Sequence, residues 1–345
     1  MSKYSRSYGS FLVSVSLVFV AIAPTAAQPP DIDELLDRVH QQYAGEGSGE
    51  LPDYIPALQS ADPGQFGIAV VTVSGEVHAV GDADTAFAIM SAAKPFTLAL
   101  VMQQHEAGVV PERIGVEPTG LPFNSVEAIE QHPERSVNPM VNAGALAAVS
   151  LLQGDDPQAR WNRLLAWYSE FAAADLHLME PVYTSVRDTG WRNRSVAALL
   201  YSYGRLYAEP EVVRDLYNRQ SSVGVTARQL ATMGAVLANG GVNPLTERRV
   251  MDPQHVSGVL AVMMMAGLYD DAGEWAWTVG LPAKSGVGGG IVAVVPGRLA
   301  IAAFSPLLDE QGNSVRAQAA IQDFTSALGL GLFGPSPSEV SNKVP

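Results

Sequence analysis

Three observations predict an α+β fold in which one antiparallel sheet is assembled from both ends of the chain. Strand-like runs lie near the N-terminus, at 66–73 and 76–80, and return near the C-terminus, at 290–295 and 299–304. Each pair is joined by a short turn, Ser74-Gly75 in the first and Pro296-Gly297 in the second, so two hairpins are expected. From about 115 to 280 the apolar residues instead recur at helical spacing, interrupted by loops. Uniting the two hairpins in one sheet, with a helical sub-domain inserted between them and terminal helices covering the faces, explains this order.

The elements follow in turn. Residues 1–27 carry Lys3 and Arg6, an uncharged run over 11–23, and the small-residue end Pro24-Thr25-Ala26-Ala27. That pattern describes a secretory signal peptide cleaved after Ala27, with an apolar run too short to span a bilayer. Residues 28–50 read as an N-terminal helix, marked by Leu35, Leu36 and Val39, and a linker, Gly45-Glu46-Gly47-Ser48-Gly49. The main domain is expected at 51–332 and a disordered Pro/Ser-rich tail at 333–345. Within the main domain, helices are expected at 142–152, 194–207 and 211–219. Thr226 and Gln229 form a capping box for a helix that Asn239-Gly240-Gly241 ends, and a last helix runs over 314–328.

Composition removes several classes of function. The formal charge is −14, and loss of the leader's two cations takes it to −16, so nothing in the balance attracts nucleic acid or an anionic membrane. Without cysteine there is no disulfide, thiolate nucleophile or thiolate metal site. An exported protein of this kind relies on its core, and 47% hydrophobic residues allow one. The six histidines, His40, His78, His105, His132, His177 and His255, are scattered and read as surface or loop residues, which argues against a Ser-His-Asp triad or a zinc site. Gly286-Val287-Gly288-Gly289-Gly290 lacks the ending of a phosphate loop and precedes a strand, so it reads as close backbone approach to a ligand. Asp270-Asp271 and Asp155-Asp156 read as solvated loop charges. No cofactor or metal is expected.

Positive chemistry centres on Ser91. The stretch Phe87-Ala88-Ile89-Met90-Ser91-Ala92-Ala93-Lys94-Pro95-Phe96 places Pro95 in a first helical turn, with apolar residues behind it. Ser91 therefore sits at or just before the N-terminus of a buried helix, and Lys94 lies beside it one turn on. A serine hydroxyl needs a base to take its proton, and a lysine can serve once burial lowers its pKa. Ser-x-x-Lys alone is weak, and a helix cap with a solvated lysine is the commoner origin. The sequence, however, has only four lysines, Lys3, Lys94, Lys284 and Lys343, and otherwise uses arginine, which cannot act as a base. Of the two in the main domain, one follows Ser91 and the other opens Lys284-Ser285-Gly286, expected on a sheet strand facing the Ser91 helix.

Ser91-x-x-Lys94 with Lys284-Ser285-Gly286 resembles the serine β-lactamase and penicillin-binding superfamily, although no Ser-Asp-Asn triplet occurs. More specific are Asp53-Tyr54-Ile55-Pro56, Glu117-Pro118-Thr119-Gly120, Asn138-Pro139-Met140-Val141-Asn142-Ala143-Gly144-Ala145, Gly267-Leu268-Tyr269-Asp270 and Gly280-Leu281-Pro282-Ala283-Lys284-Ser285-Gly286-Val287. In this order they resemble the serine-dependent glutaminases, which hydrolyse L-glutamine to L-glutamate and ammonia, over roughly residues 50–330. The resemblance implies a β-lactamase-like fold, a homo-oligomer and no cofactor. It implies Ser91 as nucleophile, Lys94 as base and Tyr269 as proton relay, with an oxyanion held by the backbone N–H groups of Ser91 and Val287. Lys284, Ser285 and Gly286 support the site, and Tyr54, Asn142, Asn193 and Tyr217 match positions that hold the substrate's α-amino and α-carboxylate ends. Taken alone, Asn142 reads equally as an N-cap and Tyr217 as a helix-face aromatic.

Departures from the family pattern bear on substrate. Val186 stands where a substrate-binding glutamate is expected, Trp191 where an aspartate is expected, and Met90 where a glutamine is usual. The leading expectation is an exported, periplasmic or secreted glutaminase acting on glutamine or a related small amide with weakened affinity. The alternatives are an amidohydrolase for N-blocked or peptide glutamine and a catalytically silent amino-acid-binding protein. A β-lactamase or transpeptidase ranks last.

Overall fold

The computed structural model describes residues 31–106, 108–131 and 136–334, so the expected leader, His132 and most of the expected tail lie outside the described residues. Eight strands are formed among them: β1 (Gly67–Thr72), β2 (Val77–Gly81), β3 (Phe87–Ala88), β4 (His177–Leu178), β5 (Val223–Val225), β6 (Ala283–Gly286), β7 (Gly290–Val295) and β8 (Leu299–Phe304). Five of them make an antiparallel sheet in the order β2-β1-β8-β7-β6, which joins the two ends of the protein at β1 and β8. Gly67 lies opposite Phe304 and Thr72 opposite Leu299. The sheet built from both ends is thus as expected. A second, three-stranded sheet, β3-β5-β4, was not expected.

Every residue of β1, β7 and β8 is buried, because helices cover both faces of the sheet. Alternate side chains divide between two cores. Ile68, Val70, Ile291, Ala293, Ile301 and Ala303 pack with Leu35, Leu36 and Val39 of the Ile32–Tyr43 helix and with Ala317, Ile321 and Phe324 of the Val315–Ala327 helix. Ala69, Val71, Val292, Val294, Ala300 and Ala302 face a larger core shared with Leu230, Met233 and Leu237 of the Ala227–Ala238 helix. That helix lies in the insertion between the hairpins yet covers the sheet directly, so the inserted residues are only partly a separate layer. Its capping box forms as read: the Gln229 N–H donates to Thr226 Oγ1 at 3.1 Å and the Thr226 N–H to Gln229 Oε1 at 2.9 Å.

The reading of the histidines as surface or loop residues stands, whereas that of Asp271 needs correction. None of the described histidines is buried, and they lie on regular elements or at their ends: His40 is in the first helix and stacks on Phe66 at 4.7 Å, His78 is in β2, and His177 is in β4. The half-apolar His40 ring packs on its neighbour while its Nε2 stays bonded to the Phe66 carbonyl at 3.0 Å. Asp271 is not a freely solvated loop charge. It accepts a hydrogen bond from Asn313 Nδ2 at 2.9 Å, and burial, then the nearby Asp309, raise its carboxyl to about 6.

Candidate active site

Ser91 lies in a short 3₁₀ turn, Met90–Ala93, that runs directly into the Lys94–Gln104 helix, with Pro95 in the first turn as its missing N–H allows. The turn begins with Met90 at φ 48°, a left-handed conformation costing a β-carbon-bearing residue about 1–3 kcal/mol. Surrounding contacts hold it there. The Ile89 N–H donates to the Val223 carbonyl of β5 at 2.9 Å, and Met90 is buried with Ile55, Leu58, Val182 and Val287. The unexpected small sheet therefore anchors the residue before the strained one.

Strand β6 closes this turn from the other side. A β-carbon on Gly286 would lie 2.7 Å from the Ile89 carbonyl oxygen and 3.2 Å from the Ser91 nitrogen, and one on Gly288 only 2.0 Å from the Ala88 carbonyl oxygen. The glycines read as an approach to ligand are thus needed for an approach within the protein itself, because backbone 88–92 occupies the space their side chains would take. Strand and turn can touch only where the strand has no Cβ.

Lys94 is 2% exposed and its Nζ donates to Asn142 Oδ1 at 2.8 Å. Burial lowers its pKa to about 7, so a large share of the amine is uncharged at neutral pH. Asn142 is the first residue of the Asn142–Ser150 helix; the cap position is Val141, so the N-cap alternative for Asn142 is not realised. Its Oδ1 also accepts from the buried Tyr217 hydroxyl at 2.9 Å, and its Nδ2 donates to Asn193 Oδ1 at 3.0 Å. Both lone pairs of one carbonyl oxygen are thereby used, which fixes the Lys94 amine in position.

Lys284 is fully buried in β6, its Nζ donating to the Gly267 and Ser285 carbonyls at 2.7 and 2.8 Å. Burial first, and then Lys94, push its amine well below the usual lysine range. The same Nζ lies 3.9 Å from the centroid of the Tyr269 ring, which gives it a π face as partner. Tyr269, at φ 59°, is the second left-handed residue at the site. Burial pushes its phenol up to about 12, against the opposing effect of hydrogen bonds with Ser91 and Ser285. Tyr269 therefore keeps its proton at neutral pH and can pass one on without being a resident phenolate.

Beside Asn142 lies a cavity of about 340 Å³ lined by Tyr54, Ile55, Phe123, Asn124, Asn142, Val186, Thr189, Gly190, Arg192 and Asn193. Tyr54, Asn142 and Asn193 of the expected substrate residues meet there, and Val186 is on the wall. Tyr217 stands behind Asn142, and Val287 is buried among Met90, Val182 and Leu308. Phe123, Asn124 and Arg192 were not anticipated. Phe123 packs 4.7 Å from the Tyr269 ring, and Arg192 Nε donates to the Asn124 carbonyl at 3.0 Å, tying the start of the Trp191–Ser202 helix to the loop that carries Phe123 and Asn124. The one signal for Arg192 was its place beside Asn193. Among the described residues no group of His, Asp or Glu could hold a metal ion.

Residues 49–333 match the family model described as Glutaminase. The chain belongs to the glutaminase family. The glutaminase of Colwellia psychrerythraea is 51% identical over 306 residues, covering 89% of this chain and 98% of that protein, and the glutaminase of Brucella canis is 53% identical over 285 residues, covering 83% and 90%. Among solved structures, one described as probable glutaminase ybaS superposes with a TM-score of 0.86 at 45% identity, covering 88% of this chain and 98% of that one. A second, described as Mglu in its glutamate form, gives 0.84 at 38% identity over 88% of this chain and 71% of its own. The enzyme class, glutaminase, follows from these relatives, and the fold is the serine β-lactamase-like one.

Proposed function

We propose that this protein hydrolyses the side-chain amide of glutamine through a seryl ester on Ser91. The observation that carries this reading is the buried Lys94 amine, three positions after a serine, whose burial lowers its pKa to about 7 and which is bonded to Asn142, a residue lining a cavity of about 340 Å³. Ser91 Oγ attacks the amide carbon while its proton passes to Lys94, with Tyr269 as relay. Backbone N–H groups of Ser91 and Val287 hold the oxyanion. The C–N bond breaks, ammonia departs with the returned proton, and water then cleaves the ester. Asn142, Asn193, Tyr217 and Tyr54 position the α-carbon end, while Lys284, Ser285 and Gly286 keep the strand against the turn.

Val186 lines the cavity where the family pattern leads to a glutamate. Loss of a charge-assisted bond to the α-ammonium costs about 1.5–3 kcal/mol, or roughly 10- to 100-fold in affinity for free glutamine. Residues 1–27 are read as a leader removed on export and the mature enzyme as a homo-oligomer; secretion of an epitope-tagged protein and light scattering test these. For the chemistry, ammonia release from L-glutamine should fall at least about 10³-fold in Ser91→Ala. A Ser91→Ala form with activity within tenfold of the parent overturns the seryl mechanism.

A further inference from the structure

Two of the three departures from the family pattern, Met90 and Val186, belong to one apolar cluster with Ile55, Val182 and Val287. Trp191 is 67% exposed and stands apart from it. The pattern leads to a glutamine at 90 and a glutamate at 186, two polar side chains that would each need a partner, and here both have given way to residues that pack together. The two replacements therefore act as one change. Val186 is held in this cluster through its neighbour: Ser185 Oγ accepts from the Ala57 N–H at 3.2 Å, which ties the Glu180–Thr189 helix to the Pro56–Leu58 turn that follows Ile55.

Ile55 and Val186 carry the cluster into the wall of the cavity beside Asn142, where Phe123 adds a third apolar surface. Arg192 brings the one charged group among the described residues of that wall. The acids of the helices around it are engaged with cations: Asp188 pairs with Arg187 at 2.8 Å, Glu211 with Arg214 at 2.6 Å and Asp215 with Arg219 at 2.8 Å. Asp53, although next to Tyr54, is exposed and does not line the cavity. A substrate α-ammonium placed against Ile55 and Val186 loses its water and gains no counter-charge, whereas an α-carboxylate has Arg192 and the Asn193 amide on the same wall. A neutral group at the α-position brings no charge to desolvate.

We propose that the preferred substrates are glutamine-like amides that keep the α-carboxylate but carry no positive charge at the α-position, the class to which glutaramate, the deamino analogue of glutamine, and small N-acylglutamines belong. Met90 and Val186 together set this preference. The inference rests on the amide-hydrolase reading above. Only the C–N bond of the side-chain amide is broken; water supplies the hydroxyl, ammonia leaves, and the α-substituent stays intact.

The test is ammonia release by the full-length protein from L-glutamine, glutaramate and N-acetyl-L-glutamine. The kcat/KM for the two neutral compounds should exceed that for L-glutamine by roughly tenfold or more, with the difference in KM. An advantage for only one of them supports the inference and fixes the size of group that the cavity takes at the α-position. The double variant Met90→Gln/Val186→Glu should lower the KM for L-glutamine and raise that for glutaramate, and Val186→Glu alone should do less, because its carboxylate then meets Met90. An unchanged ratio of the two KM values in a folded double variant overturns the assignment to these residues. L-Glutamine used by the parent as well as or better than both neutral compounds overturns the inference and leaves amide hydrolysis standing. No ammonia from any of the three overturns both readings.

Discussion

Lys94 carries the main energetic consequence at the level of single residues. Its pKa in the folded protein is about 7 against an ordinary 10.5, so below about 7 it is protonated and cannot accept the Ser91 proton. The rate should therefore rise with pH through about 7 and level off above it, and Tyr269, pushed up to about 12, supplies no falling limb below pH 10. A kcat profile between pH 5 and 10 checks this. Keeping the amine uncharged costs folding roughly 5 kcal/mol at pH 7. The unfolded state binds the extra proton between the two pKa values, so this group's contribution makes stability rise from about pH 7 to about pH 10. Lys94→Met should accordingly abolish ammonia release while raising Tm, a pairing read by calorimetry and activity on one sample. That Lys94 opens a buried helix directly after the Ser91 turn was legible from the spacing and from Pro95 alone. Asn142 and Tyr217, which complete the hydrogen-bond set, are distant in sequence and obey no local pattern, so only the family resemblance pointed to them.

At the level of elements, the turn bearing Ser91 is held by β6 and by the glycine run that follows it. Gly288→Ala places a carbon 2.0 Å from the Ala88 carbonyl oxygen. It should lower the unfolding free energy read from the urea midpoint by several kcal/mol, on the order of the most costly single substitutions, and ammonia release should fall with it. Thr226→Ala breaks only the capping box of the Ala227–Ala238 helix and should cost about 1 kcal/mol with kcat unchanged, by the same two measurements. Strands β1, β7 and β8 were legible as continuous apolar runs, the pattern of strands covered on both faces. Strands β3, β4 and β5, of two or three residues each, are too short to show any period, so the sheet that anchors Ile89 could not be read. Phe123 and Arg192 reach the cavity from a loop and from an exposed helix start, where side-chain direction has no sequence signature.

For the molecule as a whole, Leu35, Leu36 and Val39 make the N-terminal helix part of the core, and Arg316 Nε bonds to the Glu46 carbonyl at 2.5 Å within the stretch read as linker. Removing residues 31–44 strips about 1.5–3 kcal/mol per large apolar side chain from one face of the sheet. The truncated protein should unfold at a markedly lower urea concentration than the full one. The placement of β1 next to β8 also has a consequence for synthesis. While the ribosome has yet to deliver residues 299–304, β1 offers an unpaired, largely apolar edge, and the loop to be closed spans roughly 230 residues. The nascent polypeptide cannot settle into its final form until residues 299–304 emerge, and a product released early, before Leu299, is left with a sticky open strand and a strong tendency to precipitate.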